Sequence, residues 1–298
     1  MPPRDSRDRG ARWTELRYAS LLPRAASSRR LGDVYAHLVA AIELAIDRER
    51  RRVAVERIAR WLGRSSGAAA RIYHASLVSE AREEADSAYF MRRPQTLLAS
   101  FRPSPDEPEA RRGTIYATLH LGSPILAYLY LCGARGVPAR AIGRRLDPAT
   151  NQMSAAKRSF GLEKVAWVES FTRQPFLGVD AVSTARAREH LLAGKALYAA
   201  IDVPADVVAR STEIELFGEG VRIASGLLRL AALARVPLQP VVAVHRGGGF
   251  DVLYGRAIEF DDEGRALALL AAEIARFVRR LPGEWWLWPY LTPAGNRS

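Results

Sequence analysis

From residue 31 to about residue 62, the apolar positions Val34, Leu38, Ala41/Ile42 and Leu44/Ala45 return every three or four residues, the spacing of one helix face. A second helical stretch is predicted over residues 67–89, ending near Arg92, Arg93 and Pro94. Ahead of both, residues 1–30 mix Arg, Pro and Ser with isolated Trp13, Leu16 and Tyr18, the pattern of a loose arm or a short amphipathic helix. A Pro-rich run over residues 102–108 breaks the chain after this all-helical third.

Beyond the break, short β-branched and aromatic runs alternate with helical ones. Strands are predicted at 114–119, 139–143, 165–168 and 196–201, and an exposed, alternating one at 213–217. Helices are predicted at 124–135, at 154–160 (closed by Gly161), at 182–193 and at 224–234. Residues 239–245 and 250–259 form a hairpin across Arg246, Gly247, Gly248 and Gly249, and a last helix over 264–281 precedes an aromatic tail. Strands alternating with helices, plus one late hairpin, predict an α/β fold with a mixed central sheet flanked by helices and a helical N-terminal region. The expected organisation is an Arg-rich arm at 1–30, a helical region at 31–108 and an α/β domain at 109–298.

Composition narrows the classes. Apolar residues make up 48% of the 298, ample for a packed core. One cysteine, Cys132, excludes a disulfide framework, and five scattered histidines give no metal-ligand spacing. No apolar run is long enough to span a bilayer, and the N-terminus lacks the apolar stretch of a signal peptide. A cytoplasmic protein is expected. The net charge of +12 is almost wholly arginine, since only Lys157, Lys164 and Lys195 are lysines, and it is densest over residues 1–60. A basic surface attracts nucleic acid, anionic lipid or an acidic protein. No helix-turn-helix, zinc-finger or RNP pattern accompanies it, so nucleic acid is not the expected partner. No P-loop is present, and Gly218 and Gly220 lack the third glycine of a dinucleotide fingerprint.

The most informative residue is His120. It lies between the end of a predicted strand and a helix opening at Ser123 and Pro124. Ligands in open α/β sheets bind outside the carboxyl ends of strands, so the position suits a general base. The same position also suits a histidine that only tethers the start of the helix.

From about residue 114 to 291 the chain resembles the lysophospholipid acyltransferase superfamily, and within it the lipid A late acyltransferase branch. The residues that carry the resemblance are TIYATLHL over 114–121, with His120 as the histidine of a His-x4-Asp/Glu motif, and KRSFG over 157–161, with Arg158 as the basic residue. They continue with LAGKALYAAID over 192–202, ending in Asp202; Leu216, Phe217 and Gly218; then Ala224 to Ala231 with Gly226; and Trp286-Leu-Trp288. The resemblance implies an enzyme in which the His takes a proton from a hydroxyl or amine acceptor. That acceptor attacks an acyl thioester of acyl carrier protein or coenzyme A, with no other cofactor and no metal. It implies His120 and Asp202 as catalytic residues, and Arg158, Ser123, Gly218 and Gly226 as substrate-binding residues. An acidic acyl carrier protein suits the basic surface, and the acceptor is a lipid or a soluble small molecule. The lipid A relatives carry an N-terminal membrane helix. Here residues 31–46 contain Asp33, His37 and Glu43, too polar to span, although Arg-rich flanks with Trp13 and Trp61 allow attachment at the inner membrane face.

The chain departs from the motif where the carboxylate belongs, because five residues after His120 stands Ile125. Three explanations stay open. Asp202 partners the His, or His120 acts without a carboxylate on a reactive amine, or transfer has been lost and acyl-chain or carrier binding retained. The other residues have plain readings as well: Arg158 as a surface arginine, Asp202 as a turn former, Gly218 and Gly226 as turn and close-packing glycines. Ser123 reads as a helix N-cap, Cys132 as inert core, and the tryptophan cluster as a terminal segment packed on the core or touching lipid.

Overall fold

The computed structural model describes residues 4–102, 104–109, 111, 113–143, 154–205, 208 and 210–294. Five helices come first: α1 (Arg4–Leu16), α2 (Leu22–Ala25), α3 (Arg29–Ile46), α4 (Arg48–Leu62) and α5 (Ser66–Arg92). Their starts are written in the sequence. Ser28, Asp47 and Ser65 each accept from the backbone N–H three residues on, and Gly63, at φ 61°, turns the chain out of α4. α5 is the axis of this half. It buries Tyr73, Leu77, Ala81, Ala85 and Phe90, and with them the carboxylates Glu83, Glu84 and Asp86.

Of the two readings of the first thirty residues, arm or amphipathic helix, the described part from residue 4 takes the helix. It is helical from Arg4 to Ala25, with a wide turn over Arg17–Leu21 joining α1 to α2, and Tyr18, Leu22, Ala25 and Ala26 enter the main core. The cause is Arg17, whose buried guanidinium binds Glu84 of α5 at 2.6 Å, Glu43 of α3 at 3.1 Å and the Tyr35 hydroxyl at 3.1 Å.

The main sheet has six strands: β1 (Phe101–Arg102), β2 (Ile115–Thr118), β3 (Ala139–Ala141), β4 (Ala196–Ala200), β7 (Leu238–Arg246) and β8 (Gly249–Tyr254). Their spatial order is β1-β8-β7-β2-β4-β3. Only the β7–β8 hairpin is antiparallel, so the sheet is mixed, with β2 at its centre and every residue of β2 buried. A small antiparallel sheet joins β5 (Ser211–Leu216), β6 (Glu219–Ala224) and β9 (Thr292–Pro293). Helices α6 (Pro124–Leu129), α7 (Ala155–Thr172), α8 (Ala181–Leu192), α9 (Gly226–Ala234) and α10 (Glu263–Arg280) flank the sheets.

Two expectations change here. The stretch expected as a helix, a glycine stop and a strand over 154–168 is the single helix α7. Ser154 caps it, Gly161 is carried inside it at a cost of about 1 kcal/mol, and Phe160, Lys164, Trp167, Val168 and Phe171 fall at helical rather than strand spacing. The stretch expected as one helical run over 31–62 is two helices, α3 and α4, because Asp47 leaves helical backbone and caps the second. The Pro-rich run follows the helical third as expected, and the chain on its two sides packs together. β1, ahead of it, pairs with β8, and one core cluster runs from Tyr18 and Ala85 through Leu119 to Trp285 and Trp288.

Candidate active site

β2 and β4 are neighbours in parallel register, with Thr118 opposite Ala200. The chain runs two residues beyond the end of each strand, so His120 and Asp202 emerge side by side at the carboxyl edge of the sheet. The Asp202 carboxylate is 1% exposed and fully engaged. It accepts the His120 backbone N–H at 3.0 and 2.9 Å, faces His120 Nδ1 at 2.8 Å, and accepts the Trp285 indole N–H at 2.9 Å. A carboxylate there accepts a hydrogen bond from Nδ1–H, which leaves Nε2 as the basic nitrogen of the neutral ring. The His120 side chain is 33% exposed, so the ring is held at one edge and open at the other. Burial disfavours its charged form. The Asp202 charge and hydrogen bond, with Glu80 and Glu83 further off, outweigh burial and raise the His120 pKa above its ordinary value.

The loop carrying His120 is clamped on both sides. Its carbonyl accepts from Trp286 N at 2.9 Å, Gly122 N donates to the Glu284 carbonyl at 2.9 Å, and Ser123 N donates to the Ala243 carbonyl of β7 at 2.7 Å. Gly122, at φ 64°, has no room for a side chain, since a Cβ would lie 2.2 Å from the Ala243 oxygen. The Trp286 ring stands 6.1 Å from the imidazole, edge to face, and its N–H reaches Ser79 Oγ at 3.3 Å. Ser79 in turn donates to Glu284 at 2.6 Å. Ser79 and Glu284 also line an open cleft of about 380 Å³ with His37, His74, Arg82 and Gly283. Burial pushes the Glu284 carboxyl upward, against its Ser79 bond and the Arg82 charge.

The expected site residues separate into two groups. His120 and Asp202 come together, while Ile125, in the first turn of α6, is half-buried against a core cluster that includes Phe90, Leu126 and Phe250. Of the three explanations for Ile125, the contact with Asp202 is the one the geometry contains. Ser123 stands at the N-cap position of α6, but its side chain makes no cap bond and its buried hydroxyl has no hydrogen-bond partner. Its backbone, drawn to Ala243, sets the geometry instead. Arg158 sits half-buried on the first turn of α7. Its neighbours on α7 reach the carboxylates of α5 alongside the arginines: the Lys157 charge favours ionised Glu80 and Glu84, and Lys164 lies 3.4 Å from Glu83. Gly218, at φ 82° after Phe217 at φ 56°, makes the two-residue turn between β5 and β6. Gly226 opens α9 with nothing near its missing side chain, so close packing is not its role. Neither glycine is hydrogen-bonded to the His120–Asp202 pair.

Sequence reading passed over Trp285, Ser79 and Trp286 as site residues. The available signal was chemical: an indole N–H is a donor only, and a deeply buried tryptophan needs an acceptor such as a strand-end carboxylate. No hydrophobic pattern points from residue 285 to residue 202. Among the described residues no group of histidine, cysteine and acidic side chains is arranged to hold a metal, and no helix is long and apolar enough to cross a membrane. No protein-family model matches the chain, and no curated protein matches it.

Proposed function

We propose that this protein is an acyltransferase of the lysophospholipid acyltransferase kind, moving a fatty acyl group from an acyl carrier protein or coenzyme A thioester to a hydroxyl or amine. The observation that carries the reading is the 2.8 Å contact of His120 Nδ1 with buried Asp202 at adjacent strand ends, the ring open on its other side. In this reading Nε2 takes the acceptor proton while the acceptor oxygen or nitrogen bonds to the thioester carbon. The tetrahedral adduct then collapses, the C–S bond breaks, and the departing thiolate takes the proton from the imidazolium. Products are the ester or amide and the free thiol. Asp202 fixes the tautomer and balances the transient imidazolium, the work a carboxylate at position 125 would otherwise do. The resemblance of residues 114–291 supports the same fold and chemistry, and the basic surface suits an acidic carrier protein acting in the cytoplasm.

The test supplies purified protein with acyl carrier protein and coenzyme A thioesters of several chain lengths, with hydroxyl and amine acceptors, and follows thiol release and acceptor mass. Turnover is expected in the wild type and in Ile125→Ala, and none in His120→Ala. Thiol release that persists unchanged in His120→Ala would overturn the assignment. A wild type that binds donor without turnover, gaining activity only in Ile125→Glu, would make the chain a silent binding homologue.

A further inference from the structure

Helix α3 has two apolar sides. One, carrying Tyr35, Ala36, Val39 and Ala40, is buried in the core. The other is in water: Leu31, Val34 and Leu38 are 48%, 63% and 45% exposed, and Ala41 and Ala45 are exposed as well. These five recur at i, i+3, i+7, i+10 and i+14, a single stripe along the helix. A soluble surface scatters its apolar residues singly, and a contiguous row marks something that covers it.

The charges around the stripe say what. No acid lies on it: Asp33 turns to Arg82 at 2.9 Å, and Glu43 turns to Arg17 at 3.1 Å. Arg30 borders it, and Arg48 and Arg51 follow its far end. All three are exposed and have no ion-pair partner among the described residues, while nearby Glu49 and Glu56 are taken by Arg52. A second copy of this stripe would bring equally basic flanks together on chains of net charge +12, so like charges oppose self-association. An anionic bilayer meets both features at once, taking apolar side chains below its headgroups and arginines among them.

We propose that the outer stripe of α3 is a docking face for an anionic lipid surface, with the helix lying in the plane of the interface. The proposal is independent of the acyl-transfer reading. His37, three residues after Val34, both borders this face and lines the cleft beside Trp286, so docking turns that cleft toward the lipid. The test is co-sedimentation with vesicles of phosphatidylcholine alone and of phosphatidylcholine mixed with phosphatidylglycerol. The wild type is expected to bind the mixed vesicles only, and less as salt rises. Val34→Ser with Leu38→Ser should weaken that binding by about tenfold or more, and Arg30→Gln with Arg51→Gln by about threefold or more. Both pairs lie on the surface, and circular dichroism with a thermal melt would verify that each still folds. A wild type that ignores anionic vesicles, or binding that survives both double substitutions, overturns the proposal. So does a dimer in sedimentation that Val34→Ser with Leu38→Ser dissolves, which would assign the face to a second copy.

Discussion

Three donors converge on Asp202 in a nearly dry place: the His120 backbone N–H, the His120 ring and the Trp285 indole. A carboxylate so engaged is cheap to bury and stiff in orientation, and the stiffness passes to the imidazole. The pH dependence follows. The proposed acyl transfer needs neutral Nε2, and the His120 pKa is raised, so its rate at low substrate should climb with pH through an inflection above 6.5, the ordinary histidine value. Asp202→Asn removes the charge that raises it. Its inflection should fall below the wild-type one, and its plateau should drop by roughly 10²–10⁴-fold. A pH–rate profile of both proteins checks this, and an unchanged inflection would mean that Asp202 does not govern the ring. Cys132 behaves oppositely as a reagent target. Burial pushes its thiol up to about 11, so alkylation near neutral pH should be slow in the native protein and fast in denaturant.

Among elements, the docking of α1 and α2 onto α5 rests on a buried polar cluster and not on an apolar stripe alone. Arg17 bridges Glu43 and Glu84, while Tyr18 and Tyr35 donate to Glu84. Burial tends to raise the Glu84 carboxyl, but Arg17, Lys157 and the Tyr18 bond outweigh it and hold it below the ordinary range. Removing one partner leaves the other charged and unsatisfied. Arg17→Met should therefore cost about 3 kcal/mol or more in denaturant unfolding. Arg52→Ala, which breaks fully exposed pairs with Glu49 and Glu56, should leave the midpoint where it is. The aromatic tail is tied on by similar means, since buried Arg57 of α4 donates to the Trp288 and Leu291 carbonyls at 2.5 and 2.6 Å and stacks on Trp61. Most helix starts were legible to within two residues, and Ser28, Ser65 and Asp262 act on backbone N–H groups three residues away, but the start that Asp47 caps inside the single stretch read over 31–62 was not. α7 was not, because Gly161 reads as a stop in one dimension, and only packing against α5 and α1 carries the helix past it.

For the molecule as a whole, stability should carry the signature of Asp86, buried at the junction of α5 with α3. Desolvation pushes its carboxyl up to about 7, against the nearby charges of Arg29 and Arg82 and together with those of Asp33 and Glu83. A raised carboxyl pKa means that the folded state holds its proton more tightly than the unfolded chain. The associated stability is complete below about 3.8 and is lost as pH rises through about 7. Asp86→Asn should then be more stable than wild type near pH 8, by on the order of 2 kcal/mol, with the difference vanishing toward pH 4. Denaturant midpoints across that range test it, and a difference that does not vary with pH would exclude titration of Asp86 as the cause. On the opposite side of this junction, burial and the charges of Arg82 and Arg29 push His245 of β7 down to about 4, so it folds as the neutral ring.

Local grammar determined much of this protein from sequence alone. The α/β class, the helical first third, the β7–β8 hairpin across its glycines and the place of His120 at a strand end all depend on periodicity, caps and turn residues within a dozen positions of one another. Asp202 was legible as a strand-end acid, but its partnership with His120 was one explanation among three. The contact itself needed the parallel register of β2 and β4, which brings residues 82 positions apart within hydrogen-bonding distance. The role of Trp285, the docking of residues 17–25 and the exposed outer face of α3 were decided only in three dimensions. In each case one residue type has two fates, and the choice belongs to what packs beside it. A lone arginine in an Arg-rich arm reads as solvated, yet Arg17 is buried because α3 and α5 present two carboxylates to it. A leucine at helical spacing reads as core, yet Leu31 and Leu38 face outward because the opposite side of α3 already fills the groove on α5.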